Sequence, residues 1–337
     1  MIHELPVWFE AVSLALMGTV LIVDLAVVAR RPHVPSMRES AAWVALYVGL
    51  ALVYGLLVWV VGGAQPAGEF YAGWVTEYSL SVDNLFVFVL IMSRFAVPRQ
   101  HQQHVLMVGI IVALVLRGAF ILAGAALLEQ FTWLFYLFGA FLVYTAVKLA
   151  VGGEEDEEFR ENVAVRALRR VLPLSPGYDG AKVRTVVEGR RVWTPMLVVF
   201  VAIGTTDLLF AFDSIPAIFG LTQDPFIVFA TNLFALMGLR QLYFLLGGLL
   251  DRLVYLPVAL AVVLGFIGVK LVLEALHANT VPFINGGAPV PWAPEVPIWL
   301  SLVVIVGALA VATVASLWRT RRLATLAARE RLEAERD

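Results

Sequence analysis

Nine apolar runs of about 20 residues dominate this chain, at roughly 7–29, 41–63, 70–92, 104–126, 130–150, 194–219, 226–249, 253–276 and 297–318. A helix rises about 1.5 Å per residue, so each run is long enough to cross the ~30 Å hydrocarbon core of a bilayer. Lipid offers no partner to backbone amides, which leaves the α-helix as the conformation such a run can adopt. With 61% hydrophobic residues, 15% charged and a mean hydropathy of +0.86, the composition lies outside the soluble globular range. The expected fold class is an all-α polytopic membrane protein with about nine transmembrane helices.

The first run has no basic segment ahead of it and is followed by Arg30 and Arg31, so it reads as a retained span rather than a cleaved signal. Cysteine is absent, which removes thiolate metal sites and disulfides from consideration. The net charge of -2 is uninformative, and the partners expected are a small ion and the lipid bilayer, with no nucleic acid. Orientation is legible. Of the 24 Lys and Arg, all but Arg117, Lys148, Arg240 and Lys270 fall after spans one, three, five and seven or in the C-terminal tail. By the positive-inside rule those segments face the cytoplasm, with the N-terminus outside, in what we expect to be a bacterial inner membrane.

Inside the apolar runs sit five acids, Asp24, Glu77, Asp83, Asp207 and Asp213. An ionisable side chain in hydrocarbon costs roughly 2.5–3.5 kcal/mol on insertion scales, which marks an ion or proton pathway. Four of the acids form a repeated pattern. Glu77 aligns with Asp207 and Asp83 with Asp213, each pair six apart and followed by a small polar residue, Asn84 or Ser214. The alignment continues through Arg117 with Arg240, Glu129 with Asp251, and Lys148 with Lys270. Three spans match three spans, and an odd number of crossings makes the second copy inverted, as in many secondary transporters. The implied organisation is two N-terminal helices (1–63), a first repeat (64–150), a charged cytoplasmic loop (151–193), an inverted repeat (194–277), and an outer loop, ninth helix and tail (278–337).

Glu77, Asp83, Asn84, Thr205, Thr206, Asp207, Asp213 and Ser214 offer only oxygen donors, the set preferred by Mn2+, Mg2+ and Ca2+. None of the five His lies in mid-span, which argues against an imidazole zinc or copper site. Residues six apart differ by about 120° around a helix, so Glu77 and Asp83 share a face only if span three is distorted, for which Ser79 and Ser81 are the local grounds. In span six Pro216 is expected to kink the helix beside Asp213. Arg117 and Arg240 are the charge partners; a structural reading has them simply neutralise the acids. Five acids against two deep cations still leaves negative charge to be met by metal, protons or raised pKa values. Lys148 and Lys270 lie near span ends and are expected to snorkel. Asp24, near the cytoplasmic end of span one, reads either as part of the path or as interfacial. The acidic run at 152–162 reads as a solvated linker.

The strings EYSLSVDNLFVF (77–88), FAVPRQHQQHVLMVGI (95–110), the long segment 209–246 containing FDSIPAI, and GFIGVKL (265–271) resemble the TerC family of integral membrane proteins, which takes in the Alx manganese exporters and is named for tellurium resistance. The resemblance spans nearly the whole chain. It implies export of Mn2+ as a transported substrate, no organic cofactor, no enzymatic activity, and Asp24, Glu77, Asp83, Asn84, Asp207, Asp213 and Ser214 as the metal path. Gly204 departs from the pattern, since relatives commonly have Glu there. Two other readings stay open: a structural component of a tellurium-resistance or stress-response complex, and an intramembrane di-aspartate hydrolase.

Overall fold

The computed structural model describes residues 5–30, 35–131, 133–151, 163–246, 254–277, 279, 281, 282 and 284–334. The side chains of Asp83, Glu129 and Asp213, together with Asp251 and the acidic run at 152–162, lie outside the described set. Among the described residues, nine segments are helical, long enough and apolar enough to cross a membrane. They are α1 (Val7–Arg30), α2 (Met37–Gly62), α3 (Ala64–Arg94), α4 (Arg99–Gln130), α5 (Leu134–Val151), α7 (Pro195–Phe219), the pair α8 (Pro225–Met237) and α9 (Leu239–Leu246), α10 (Leu256–His277) and α11 (Ile298–Ala334). The chain is an integral membrane protein of all-α architecture.

The seventh span is the axis of the bundle. Of its residues 89% are buried, against 17% for α1 and α11, which places those two at the periphery facing lipid. It is also the broken one. Asp224 caps α8 by accepting from the amides of Phe226 and Ile227, and Pro225 follows at the first helical turn, where its missing N–H is not needed. The helix then stops at Gly238, and α9 restarts at Leu239. The breaks expected elsewhere are not found. Helix α3 runs unbroken from Ala64 to Arg94, with Ser79 Oγ donating to the Val75 carbonyl inside the turn. Pro216 sits in the last turn of α7, which stays helical to Phe219, and the Gly220 amide donates to the Pro216 carbonyl.

Helix α3 packs on α8, α4 packs on α7, and α5 crosses α10 at backbone contact. A Cβ on Gly139 would lie 2.8 Å from the Gly268 carbonyl oxygen, and one on Gly268 would lie 2.8 Å from that of Gly139, so two glycines set the approach. The loop before α7 is folded in part. A short helix α6 (Val163–Val171) precedes a hairpin of β1 (Arg184–Val187) and β2 (Arg190–Trp193), turned by Glu188 and Gly189 at φ 51° and 77°. Tyr178 anchors it by donating to the Phe95 carbonyl at 2.6 Å.

Candidate functional site

Arg117, from the middle of α4, is 1% exposed and joins the two halves of the molecule. Its Nη1 pairs with Glu77 Oε1 of α3 and donates to Asn232 Oδ1 of α8 at 3.0 Å. Its Nη2 reaches Asp207 Oδ1 of α7 at 3.3 Å. Asn232 is oriented for this role because its Nδ2 is committed to the Val228 carbonyl at 2.9 Å, which turns Oδ1 toward the guanidinium. Ser81 Oγ, one turn beyond Glu77, donates to Glu77 Oε1 at 3.4 Å. Burying an ion pair is favourable only when the remaining lone pairs are also met. Here they are not: Glu77 Oε2, Asp207 Oδ2, Arg117 Nε, Asn84 Nδ2 and Ser214 Oγ are buried without a hydrogen-bond partner among the described residues.

Helices α3 and α7 run antiparallel, since Glu69 near the start of α3 meets Thr222 just beyond the end of α7, and Phe95 clusters with Met196 at the other end. Six residues of helix span about 9 Å. Asp83 therefore lies about 9 Å from the Arg117 level toward the Arg94 end of α3, and Asp213 about 9 Å from it toward the Phe219 end of α7. The sequence-paired acids are thus staggered. Glu77 and Asp207 share one level, with Asp213 on one side of it and Asp83 on the other. Among the described residues, which leave out the side chains of Asp83 and Asp213, no three His, Asp or Glu side chains cluster tightly enough to hold a metal ion.

Asp24 stands apart from this row. Its Oδ1 accepts from Arg240 Nη2 at 2.9 Å and from the Tyr47 hydroxyl at 2.6 Å. Arg240 opens α9 directly after the break at Gly238, so the broken helix delivers the cation to α1 and α2. Although Arg240 aligns with Arg117 in sequence, its carboxylate partner comes from a helix outside either repeat.

A second polar group, which the sequence reading did not single out, lies where α3 starts and α7 and α10 end. Glu69 accepts from Thr222 Oγ1 at 2.6 Å and from Gln65 Nε2 at 3.2 Å. Glu274 of α10 accepts from Gln223 Nε2 at 2.9 Å. Both line a cavity of about 810 Å3 shared with Lys270, His277 and Glu295. Lys270 was expected to snorkel to the interface; instead it is 9% exposed and turned into this cavity, whereas Lys148 is exposed. The available signal was weak, because an acid near a span end is inexpensive and only packing shows which of them is enclosed.

These features define a class: a polytopic helical membrane protein with a charged row through its core. The chain belongs to the integral membrane protein TerC family, whose profile matches residues 62–324. It is 49% identical over 319 residues to an uncharacterized membrane protein of Mycobacterium tuberculosis, covering 94% of this chain and 80% of that one. It is 46% identical over 245 residues to the chloroplastic thylakoid membrane protein TERC of Arabidopsis thaliana, covering 72% and 64% of the two chains. A Salmonella typhi protein carrying the provisional name membrane-bound redox modulator Alx is 38% identical over 307 residues, covering 88% and 90%. No solved structure matches.

Proposed function

We propose that this protein is a secondary transporter that exports a divalent cation, Mn2+ first among them, across a bacterial inner membrane, with proton exchange on the same acids as its drive. One observation carries the reading: Glu77 and Asp207, one from each half, converge on a single guanidinium and each keeps a buried oxygen without a partner among the described residues. Two carboxylates against one Arg leave a charge of -1 at that level, and Asp83 and Asp213 add more about 9 Å to either side. Arginine stays protonated, so Arg117 acts as a fixed counter-ion that a doubly charged ion supplements or displaces. The staggered acids then make stepping stones along the axis rather than one closed cage. The sequence alignment of the two halves fits this, since α3 on α8 and α4 on α7 are equivalent pairings under it.

The distribution of Lys and Arg supports an N-terminus outside and the Arg94 end of α3 in the cytoplasm. An ion leaving the cytoplasm then meets Asp83, the Arg117 level and Asp213 in turn. A hydrolytic dyad is less well supported, because Glu77 and Asp207 both face Arg117, which opposes the shared proton such chemistry uses. Thiol redox chemistry, which the name of the Alx relatives brings to mind, is closed to a chain without cysteine. The test is Mn2+ uptake into vesicles containing the purified protein. Flux should fall to background in Asp83→Asn and in Asp213→Asn, and undiminished flux in both would refute the pathway.

A further inference from the structure

We propose that the groove between α10 and α11 is a binding site for one anionic phospholipid, with an acyl chain along the groove and the lipid phosphate on Arg319 and Arg322. This goes beyond the transport reading and does not rest on it. The two helices are tied together at the start of α10, where the Tyr255 amide donates to Ser316 Oγ at 2.9 Å. Alongside that contact lies a cavity of about 930 Å3. Ala259 and Ala312, both buried, make a small-residue floor, and the walls are Val258, Val262, Val303 and Val311, each at least half exposed. At Gly307, also in the lining, a Cβ would meet nothing within 4 Å, so the groove is open there.

Two tryptophans set the depth of the groove in the bilayer. Trp299 and Trp318, both exposed, are 19 residues apart on α11, about 29 Å of helix, which matches the ~30 Å hydrocarbon core with an aromatic ring at each interface. The apolar lining from Val303 to Ala315 therefore lies in hydrocarbon, and Arg319 and Arg322 come at the interface and just beyond it. That lining runs about 18 Å along the helix, against about 15 Å for one leaflet of the core. A lipid tail fits both its length and its chemistry.

Charge selects the headgroup. The groove has two guanidiniums at one end and no Asp or Glu in its lining. Arg319 sits 5.6 Å from the centroid of the Tyr255 ring and Arg322 5.5 Å from that of the Trp318 ring, so aromatic faces hold both in place. A guanidinium carries five N–H donors in a fork that suits phosphate oxygens, and basic pockets between helices at the membrane surface take anionic headgroups. A second copy of this chain fits less well. Two copies related by a two-fold axis along the membrane normal meet at equal depth, which would set four guanidiniums against one another.

The test titrates the full-length protein in detergent with phosphatidylglycerol and with phosphatidylcholine, counting lipid adducts by native mass spectrometry. One phosphatidylglycerol should bind about tenfold or more tightly than phosphatidylcholine, since each arginine near the surface is worth a factor of about five. Arg319→Gln with Arg322→Gln, both at exposed positions, should bring the two lipids within about twofold of each other. Gly307→Phe, which keeps both arginines, should fill the groove and weaken both lipids. Glycerol phosphate, a headgroup without a tail, should not displace the lipid. The proposal is overturned if wild type binds the two lipids alike, if the arginine pair leaves the preference unchanged, if Gly307→Phe binds phosphatidylglycerol as wild type does, or if glycerol phosphate displaces it. A dimer in lipid-free detergent that Gly307→Phe dissociates would put a second copy in the groove and overturn it as well.

Discussion

Replacing Arg117 with Gln should be among the most damaging single changes in this molecule. The guanidinium is the shared partner of Glu77 and Asp207, whose side chains are 0% and 5% exposed, and without it both carboxylates stay buried beside each other. Removing one member of a buried pair costs about 3–5 kcal/mol, and two stranded acids put this site near the top of that range. At about 2.1 cal/mol/K per residue, the unfolding entropy of a 337-residue chain is about 0.7 kcal/mol/K, so the melting point should drop by roughly 6–7 °C. Arg240→Gln makes the comparison, because it strands only Asp24, which is 11% exposed and keeps the Tyr47 hydroxyl, so its loss should be clearly smaller. The nine Trp allow unfolding in detergent to be followed by intrinsic fluorescence, which is needed because a thiol-reactive dye has no target here. The triple variant Arg117→Gln, Glu77→Gln, Asp207→Asn removes the charges together and should recover most of the loss. A melting point for Arg117→Gln within 2 °C of wild type, on the order of 1 kcal/mol or less, would refute the reasoning, as would a triple variant no more stable than the single one.

Other sites test other parts of the structure. Gly139→Val should destabilise by about 1–3 kcal/mol because its Cβ meets the Gly268 carbonyl at 2.8 Å, whereas Gly307→Ala, with open space around it, should be neutral or slightly stabilising in the same melting assay. Tyr47→Phe removes one hydrogen bond to Asp24 and should cost about 1 kcal/mol, well below Asp24→Ala, which leaves Arg240 buried without its carboxylate. In the loop before α7, the Thr185 hydroxyl and then the Lys182 ammonium hold the Asp179 carboxyl below the usual carboxylate range. A depressed folded-state pKa stabilises above the unfolded value, near 3.9, and that support is lost as pH falls through the lower folded value. Amide exchange of Lys182 and Thr194 should therefore quicken at the acid end, and Asp179→Ala should show the faster exchange already at pH 7.

The nine spans and the deep acids were legible because hydrocarbon imposes a length and a polarity that few other constraints imitate. Arg117 as partner to the acids was legible too, from the imbalance of charge within the spans. The break at Gly238 was not, since a lone glycine costs a helix only about 1 kcal/mol and many are tolerated without a break. Nor was the link from Asp24 to Arg240, which joins residues 216 apart and lies outside the repeat alignment. Lys148 and Lys270 occupy matching sequence positions near span ends, and nothing local says that one faces out and the other into a cavity. Asn232, in mid-span, carried a signal of its own: an amide buried in a membrane helix needs a polar partner.

Anomalous scattering at the manganese edge, from crystals of the protein soaked in Mn2+, addresses the central claim most directly. The account predicts a peak inside the membrane, ligated by at least two of Glu77, Asp83, Asp207 and Asp213 and close to the level of Arg117. Manganese bound only at loops and at the outer cavity, with Arg117 still holding both of its acids, would contradict it.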